Sequence, residues 1–479
     1  MSISQTLSNA LSGIGAASRM AATTSANLAN ASTDGYGRRR VDLAAQTIGG
    51  AGGGVQITGI TRIVERGILA DRRLADAALG GQSDRARAYE RLETAIGAPG
   101  DAGGLTGRIV ALEAAFQAAA GDPASAIRLG DVVERMSDLT AALNAQSRDI
   151  AGLRQDADAD IARQVDTLNG ALARIEGLNG DIARAGAGRD TAALEDERQT
   201  AIDAVSTIVP LREIARDNGR IALMTTSGEV LIDGPAQLFD FTATPVIAPH
   251  MTRDAGLVSG ITRDGQPLDG GFGRLSGGSL EAAFERRDDI LVAAQRDLDA
   301  IARDLAERFG DPANDPTLTA GDAGVLTDRG TAFGAATTVG FAGRITVNAA
   351  IDPGRGGDVR LLRDGLGSTA AGPVGDGRQL RRWADGMAAP RRMAGAGPTG
   401  AVAEHAARFA ARIGSDRIAA QDEATFASAR WSAIRAAELE GGVDTDAEMQ
   451  MLLRIEQHFA ANARVIETVQ SMMRTLMEL

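Results

Sequence analysis

The sequence predicts a mainly helical α+β protein in which helical ends and a helical body flank a β-rich middle. Near both termini, and between about residues 65 and 206, apolar residues recur at alternating steps of three and four, the spacing of an amphipathic helix. From Val209 the apolar period changes to two, and glycine-containing turns separate short β-branched runs. Aromatic residues make up only 3% while alanine and glycine are abundant, which favours helices in close contact.

The composition excludes several kinds of site and partner. All 50 basic residues are arginine, so the chain has neither a Schiff-base lysine nor the lysine of a P-loop. It contains no cysteine, which excludes disulfides, thiol nucleophiles and thiolate metal ligands. The net charge of −13 argues against nucleic acid or an anionic membrane as a partner, because both attract basic surfaces.

The N-terminal sequence MSISQTLSNALSG has neither the basic start nor the apolar core of a cleavable secretory signal. No apolar run approaches the ~18 residues that a membrane-spanning helix requires. We therefore expect a soluble chain that stays in the cytoplasm or is exported without a cleaved signal peptide.

The first predicted helix runs from Ser4 to about Ala31. Small and apolar residues form a stripe along it: Ile3, Leu7, Ala10, Ile14, Ala17, Ala21 and Leu28. Asn27 and Asn30 lie three residues apart and so share a face. Asparagine is a poor helix former because its amide competes for backbone hydrogen bonds, so this pair indicates a specific contact.

A turn and a basic cluster follow this helix. The sequence TDGYG, from Thr33 to Gly37, combines a helix stop with one of the two tyrosines of the chain, and Arg38, Arg39 and Arg40 come next. Three arginines could form a phosphate-binding patch. At this net charge we expect instead that they pack internally or belong to an interface.

The C-terminal helix carries a more regular apolar seam, in which Asn462 is the one polar member. The seam residues are Leu452, Ile455, Phe459, Asn462, Ile466, Val469, Met473 and Leu476. An ordinary core helix would show the same stripe. Because such helices stand at both ends of the chain, we expect them to pair with each other or with neighbouring molecules.

The middle of the chain changes period several times. Gly49 to Gly54 predicts a flexible turn, and the sequence VQITGITRIV after it predicts a short strand. Helix is then predicted to about Ser206, its longest piece running from Pro123 to Ala185 with a shift of register around Asp156 to Asp160.

Strand-like sequence follows the long helices. A hairpin is predicted after Val209, and polar strand-like sequence continues to about Gly271. Helix returns from Ser279 to Phe309, the sequence GRITVNAAI predicts another strand, and Gly365 to Gly400 is loop-rich around one short helix.

We expect three domains from this order of elements. Residues 1–45 with 441–479 form a terminal coiled-coil assembly domain. Residues 46–208 with 276–312 and 376–440 form a helical bundle domain. Residues 209–275 with 313–375 form a β-rich outer domain.

No motif predicts a catalytic, cofactor-binding or metal site. The sequence DADAD, Asp156 to Asp160, resembles the start of a calcium loop but lacks its glycine and its final glutamate. We expect a solvated acidic helix face there. His250, His405 and His458 are far apart in sequence and lack the spacing of metal ligands. We therefore predict that the protein is not an enzyme and has no cofactor.

Both ends of the chain resemble the bacterial flagellar rod, hook and hook-associated proteins. Their N-terminal signature is matched here by Asn27, Ala29, Asn30, Thr33, Gly35, Tyr36 and Arg38, with Leu28 in place of the usual isoleucine. Their C-terminal signature is matched by Gln457, Phe459, Ala461, Asn462, Ala463, Val465 and Ile466. The sequence GGVDTDAEM differs from the Asn-Leu-x-x-Glu usual in the family, so the residue that caps the last helix is not identified.

Within that family, the middle of the chain is similar to the hook-associated members, which form the junction between hook and filament. The similar region is TAALEDERQTAIDAVSTIVPLREIARDNGRIALMTTSGEVLIDG, and GRLSGGSLEAAFERRDDIL and GRITVNAAI follow in the same order. The resemblance implies a structural junction subunit that is needed for filament assembly. The alternatives are another hook or rod component and, in a different class, an enzyme on a helical scaffold.

The resemblance also implies partners and a location. The expected partners are further copies of the chain in a ring or tube, the hook protein, the next hook-associated junction protein, and an export chaperone at the C-terminal helix. The expected location is extracellular, at the hook–filament junction, after export by the flagellar type III apparatus.

In an axial tube the terminal helices of each subunit pack on those of identical neighbours, so the residues of the two end signatures and seams are the predicted assembly interface. We expect Asn27, Asn30 and Asn462 to exchange amide hydrogen bonds between subunits and thereby to fix register. The predicted interface residues are Leu7, Ile14, Asn27, Leu28, Asn30, Thr33, Gly35, Tyr36, Arg38, Leu452, Ile455, Gln457, Phe459, Asn462, Ile466, Val469, Met473 and Leu476.

Overall fold

The two ends of the chain form a pair of antiparallel helices, which is one of the two arrangements expected from the sequence; the direction was not predicted. The computed structural model describes residues 3–48, 51–98, 100–186, 190–269, 272–393 and 398–478. Helix α1 covers Ile3–Ala29 and the last helix, α11, covers Thr445–Glu478. Asn27 near the end of α1 meets Glu448 at the start of α11, whereas Gly13 lies against Asn462. The helices therefore run in opposite directions.

A long β-hairpin lies beside α1. Its strands are β1, Arg38–Ile48, and β2, Ala51–Ile63. The sequence analysis did not predict β1, and it placed the start of β2 too late, because the glycines from Gly52 onward belong to the strand. Residues 49 and 50 of the predicted turn lie outside the described residues. Gln5 Nε2 donates to the carbonyl of Gly52 at 3.1 Å, which attaches the far end of the hairpin to α1.

Long helices form the body of the molecule, as the spacing of apolar residues predicts. Their bounds are α2 Arg66–Ile96, α3 Leu105–Gly121, α4 Ala126–Ala185, α5 Ala192–Ile208, α6 Ser279–Glu285, α7 Leu291–Phe309, α8 Arg360–Asp364, α9 Arg378–Ala388 and α10 Val402–Glu440. A short π-helical turn, Arg286–Ile290, joins α6 to α7. None of the described helices is long and apolar enough to cross a membrane.

Two hydrophobic cores lie along α4. The first surrounds its N-terminal half and includes an aromatic stack in which Phe309 lies 5.8 Å from Phe116 and 5.4 Å from Trp383. The second surrounds its C-terminal half, from Ile161 to Ile175, and includes Phe284. The 60 residues of α4 thus serve as the common support of both cores.

The short strands are divided between these two cores. β3 Leu211–Ala215, β4 Ile221–Thr225 and β5 Val230–Ile232 form an antiparallel sheet, and β6 Thr262–Arg263 pairs with β7 Gln266–Pro267. This first group packs on the second core. β8 Leu326–Asp328 pairs with β9 Ile345–Val347 and packs on the first core. The predicted hairpin after Val209 and the strand in GRITVNAAI are both present.

Much of the sequence up to Gly271 is irregular rather than strand-like, because its backbone bonds to side chains of α4. Asn169 donates to the carbonyl of Phe239 at 2.6 Å and accepts from its N–H at 2.9 Å. Gln155 bonds in the same way to the carbonyl of Thr244 at 2.6 Å and the N–H of Ile247 at 3.0 Å. The two side-chain amides thus satisfy backbone N–H and C=O groups that a neighbouring strand would otherwise satisfy.

The prediction of a solvated acidic face at Asp156 to Asp160 is wrong for its central residue. Asp158 has no exposed side-chain surface, and it forms an ion pair with Arg287, which is equally buried. Asp158 also accepts from the N–H of Thr244 at 2.6 Å. Of the three aspartates, Asp156 alone is exposed, and it pairs with Arg91 at 2.5 Å. The register shift in α4 thus turns one carboxylate of the run into the protein interior.

Candidate assembly interface

Asn27 lies at the centre of a buried network where the terminal helices meet the hairpin. It is 1% exposed. Its Nδ2 donates to the carbonyl of Arg39 at 2.8 Å and to Glu448 Oε2 at 3.2 Å. Its Oδ1 accepts from the hydroxyl of Tyr36 at 2.8 Å and from the N–H of Arg39 at 2.9 Å. Both donors and both acceptor positions of the amide are therefore used within one chain.

Glu448 connects the start of α11 to this network. It is 2% exposed and accepts from Arg38 Nε at 2.6 Å. Four residues earlier, Asp444 Oδ1 accepts from the N–H groups of Asp446 at 2.9 Å and Ala447 at 3.0 Å. Asp444 is thus the N-cap that the sequence analysis could not identify.

Asp196, on α5, attaches the network to the helical body. Its Oδ1 accepts from the N–H of Gly37 at 2.9 Å and from Arg62 Nε at 2.7 Å, and its Oδ2 accepts from Arg39 at 2.7 Å. We call this set of seven residues the polar hub: Asn27, Tyr36, Arg38, Arg39, Arg62, Asp196 and Glu448. The arginines after Tyr36 therefore take part in internal packing, with Arg40 remaining exposed.

Tyr36 supplies the aromatic member of the polar hub. The guanidinium carbon of Arg39 lies 4.9 Å from the centroid of its ring, a cation–π distance. Burial raises the pKa of the Tyr36 hydroxyl above its usual 10.0, and the carboxylates of Asp196 and Glu448 add to this against the opposing effect of Arg39. The hydroxyl therefore stays protonated and able to donate to Asn27.

Gly35 allows the chain to turn into the polar hub. Its φ of +79° is disfavoured for residues with a side chain, and a Cβ there would lie 2.6 Å from Thr200 Oγ1. Its carbonyl accepts from Arg62 at 3.1 Å. The glycine in the TDGYG sequence is thus required by both conformation and space.

The terminal helices approach closely where Gly13 faces Asn462. A Cβ at Gly13 would lie 2.8 Å from the Asn462 amide, whereas a Cβ at Gly15 would meet nothing within 4 Å. Asn462 also donates to the carbonyl of His458 in its own helix at 2.9 Å. The polar member of the C-terminal seam therefore marks a close crossing between the two helices of one chain.

The structure separates the predicted interface residues by exposure. Those buried between elements are Asn27, Ile455 and Val469. Those half-buried are Leu7, Ile14, Leu28, Asn30, Gly35, Tyr36, Arg38, Leu452, Asn462 and Ile466. Those exposed are Thr33, Gln457, Phe459, Met473 and Leu476. One chain therefore covers only part of its two seams.

Helix α11 presents an extensive exposed apolar surface. Its exposed large apolar residues are Met449, Met451, Leu453, Phe459, Val465, Met472, Met473, Leu476 and Met477, with exposures from 39% to 82%. On α1, Leu11 is 55% exposed. A groove of about 350 Å³ between the helices is lined by Ala17, Ala21, Leu452 and Phe459 among others. Apolar surface on this scale marks a site of protein association.

The expected exchange of amides between subunits is wrong for Asn27, because its hydrogen-bonding positions are filled within the chain. Asn30 donates to the carbonyl of Ala26 at 2.9 Å and accepts from the Thr33 hydroxyl at 3.2 Å. Asn462, as described above, bonds to His458. All three amides thus make intrachain bonds.

Sequence reasoning missed Arg62, Asp196 and Glu448. Asp196 lies in a helix with many charged residues, and nothing in its spacing distinguishes it. Glu448 belongs to the sequence GGVDTDAEM, which was noted only for its difference from the family pattern. The sequence did contain a signal for Glu448. It lies in the first turn of a predicted helix, and antiparallel pairing of the chain ends would bring that turn close to the N-terminal signature.

His405 is the most buried of the three histidines, and both of its ring nitrogens contact other residues of the chain. Its Nε2 lies 2.9 Å from the carbonyl oxygen of Arg391, and its Nδ1 lies 2.7 Å from a guanidinium nitrogen of Arg408. Over the described ranges, no three histidine or carboxylate side chains are grouped so that they could hold a metal ion.

Two parts of the chain match known families. Residues 89–324 match the family model of the flagellar hook-associated protein FlgK helical domain. Residues 440–479 match the model of the flagellar basal body rod FlgEFG protein C-terminal region. The second match covers α11, which is one of the two helices of the terminal pair.

Individual proteins are similar over larger parts of the chain. Flagellar hook-associated protein 1 of Bacillus subtilis (strain 168) is 24% identical, and the alignment covers 93% of this chain and 92% of that protein. A solved structure, the flagellar hook junction protein FlgK from Burkholderia pseudomallei, is 19% identical with a TM-score of 0.45. That alignment covers 54% of this chain and 46% of the solved chain, so less than half of the solved chain is spanned.

Proposed function

Because this chain belongs to the family of flagellar hook-associated proteins, we propose that its paired terminal helices join it to neighbouring subunits at the junction between hook and filament. The prediction of this family, from the end signatures together with the middle of the chain, is confirmed. The role at the junction is structural. We assign this role to the surface of the terminal helix pair.

The observation that carries the proposal is the exposed apolar surface of α11. A helix that packed only on α1 would need one apolar stripe, yet α11 exposes Met449, Leu453, Met473 and Met477 on several sides. Exposed apolar surface of this kind is stabilised when the apolar surface of another molecule covers it. In a ring or tube, neighbouring copies carry the same exposed apolar side chains at the same height along the axis, so they can cover one another.

The polar hub gives this surface a fixed position. Asn27 and Glu448 connect α1 to α11, and Asp196 connects both to the helical body through Arg39 and Arg62. We propose that this connection sets the direction in which the helix pair leaves the body, so that every subunit presents its seams at the same angle.

The family implies association with other axial components of the flagellum. We propose that these partners are the hook protein on one side and the next hook-associated junction protein on the other. We further propose that an export chaperone covers α11 before assembly, since its exposed methionines and leucines would otherwise promote aggregation. We propose that the protein is exported without a cleaved signal peptide, has an extracellular location in the flagellum, and carries no catalytic activity.

Deletion of the gene tests the proposal directly. We expect cells without the protein to complete their hooks, to carry no filaments, and to release filament subunits into the medium. Cells that lack hooks as well would indicate a rod or hook component instead. Filaments of normal length would contradict any role at the junction.

A further inference from the structure

A cleft lined by arginines lies next to the polar hub. It encloses about 430 Å³ between the base of β2, the first turns of α2, helix α5 and strand β3. Five arginines line it: Arg62, Arg66, Arg73, Arg198 and Arg212. Nothing in the assembly of the terminal helices accounts for so many cationic side chains in one place.

Within the described part of the chain, carboxylates form ion pairs with two of these arginines. Arg62 pairs with Asp196 at 2.7 Å, and Arg73 pairs with Asp203 at 2.9 Å and with Glu213 at 2.8 Å. Arg66 and Arg212 are exposed and form no ion pair or side-chain hydrogen bond with the described residues. They are available to a partner.

Arg198 is a buried cation that forms no ion pair with the described residues, although the carboxylates of Glu213 and Glu195 lie near enough to favour its charge. It is 8% exposed and donates to two neutral acceptors, Asn179 Oδ1 at 2.9 Å and the carbonyl of Gly219 at 2.7 Å. Burial lowers the pKa of the Arg198 guanidinium, so keeping this group charged in the folded protein costs free energy. Glu195, which lines the cleft, forms no direct ion pair with the described residues and accepts from the Thr191 hydroxyl at 2.8 Å. The five arginines are opposed by four carboxylates, two that line the cleft and two paired with its arginines, so one positive charge remains in excess: Glu195, Glu213, Asp196 and Asp203.

The floor of the cleft is apolar. Val64 and Leu74 line it and are half-buried, and Ala70 is exposed, so this apolar surface is open to a partner. An apolar floor under a cationic rim fits a segment of polypeptide that carries a carboxylate next to an apolar side chain. A fully hydrated small anion would leave that floor uncovered.

We propose that the arginine cleft receives an acidic segment from a second copy of this chain in the assembled junction. The inference rests on the proposed function, because it requires copies to stand side by side. Carboxylates outnumber arginines in this protein by 63 to 50, so the surface of a neighbour is rich in the complementary charge. Arg62 belongs to both the cleft and the polar hub, so the cleft lies next to the base of the terminal helix pair.

The absence of lysine provides a sharp test. Arg212→Lys keeps the positive charge and introduces the one ε-amine of the chain, so that a carbodiimide can join position 212 only to a carboxylate in contact with it. In isolated hook–filament assemblies we expect a product of twice the monomer mass, with the bond to an acidic residue of another copy located by mass spectrometry. Arg148→Lys is the matched control, since Arg148 is exposed on α4 beside the first core and has no described ion pair.

A charge reversal checks the same contact independently. In the Arg212→Lys background, Arg66→Glu should repel the carboxylate of the neighbour and reduce the yield of the cross-linked dimer severalfold. Arg148→Glu in that background should leave the yield unchanged. A yield unaffected by Arg66→Glu would contradict the proposal.

A second cross-link distinguishes failure of this inference from failure of the proposed function. Met473→Cys introduces the one thiol of the chain on the exposed side of α11, where a bismaleimide should join neighbouring copies. If Met473→Cys gives dimers while Arg212→Lys gives only intrachain products, the terminal helices assemble and the arginine cleft is not an interface. If inorganic phosphate raises the melting temperature of the purified protein and no dimer forms through position 212, the cleft binds a small anion and our inference is wrong. If neither variant gives dimers, the proposed function itself fails.

Discussion

At the scale of single residues, one amide holds together segments that are far apart in the sequence. Asn27 bonds to Tyr36, to both backbone groups of Arg39, and to Glu448, which lies 421 residues further along the chain. The sequence identified Asn27 as unusual because asparagine is disfavoured inside a helix. It could not identify Glu448 as the partner, because no local pattern encodes a contact over that separation.

Asn27→Ala should therefore weaken the terminal helix pair. The change leaves the hydroxyl of Tyr36 and the N–H of Arg39 without their acceptor, which costs about 1–3 kcal/mol for a buried group. Hydrogen exchange should become faster at Arg39 and in the first turns of α11. Asn30→Ala is the control, since among the described residues the Asn30 side chain bonds only to Ala26 and Thr33, so the change should stay within ~0.5 kcal/mol. Equal effects of the two substitutions would show that the network around Asn27 is not specific.

The polar hub should also lose stability in alkaline solution. Since burial raises the pKa of Tyr36 in the folded protein, the neutral hydroxyl is favoured by folding, and its full contribution is present below about pH 10. The contribution is lost as pH rises from there through the raised pKa, because the phenolate cannot donate to Asn27. The absorbance of tyrosinate should therefore rise at a higher pH in the folded than in the unfolded protein.

Tyr36→Phe should remove one of the two tyrosine titrations and leave that of Tyr89, whose pKa is also raised by burial. The alkaline loss of melting temperature should become smaller in this variant. A titration of Tyr36 at its usual pKa would mean that its hydroxyl is solvated rather than bonded to Asn27.

At the scale of elements, small residues decide how closely α1 and α11 approach. Periodicity predicted both helices nearly to their ends, but it did not show which face of each meets the other. The distance is set where Gly13 admits the Asn462 side chain. The strand β1 was missed for a related reason, since three consecutive arginines do not alternate with apolar residues. Their pairing with β2, from Arg38 opposite Ile63 onward, depends on Asp196 and Glu448 elsewhere in the chain.

Two glycine substitutions in α1 should therefore have different effects. Gly15→Ala meets nothing within 4 Å, so it should stabilise the helix by about 0.5–1 kcal/mol through reduced chain entropy. Gly13→Ala should not show this gain, because the new methyl group displaces the Asn462 amide from its bond to His458. Thermal unfolding of the two variants compares them directly. An equal gain for both would mean that the helices are not in contact at this level.

At the scale of the whole molecule, the protein is a helical body with an incompletely covered pair of terminal helices. Helical content, the first hairpin after Val209 and the family were predictable, because periodicity and end signatures are local features. The burial of Asp158 and the irregular course of residues 239–247 were not, because both depend on side chains of α4 that fill the place of a strand. We still propose that residues 1–45 with 441–479 form one domain, because the polar hub connects α1, β1 and α11 at one end of the helix pair.

The most direct test of the account is a charge placed on an exposed residue of the apolar seam of α11. Met473 is 48% exposed in the single chain, so Met473→Asp should leave the melting temperature of the purified protein almost unchanged. In an assembled junction the same carboxylate would be buried against apolar neighbours, at a cost of several kcal/mol. Met473→Leu, which keeps an apolar side chain of similar volume, is the control.

The measurement is the amount of filament subunit in the medium of cells that carry each variant. We predict that cells with Met473→Asp export the protein and release filament subunits, and that cells with Met473→Leu grow filaments of normal length. Full-length filaments on cells with Met473→Asp would contradict the claim that the exposed surface of α11 is where subunits assemble.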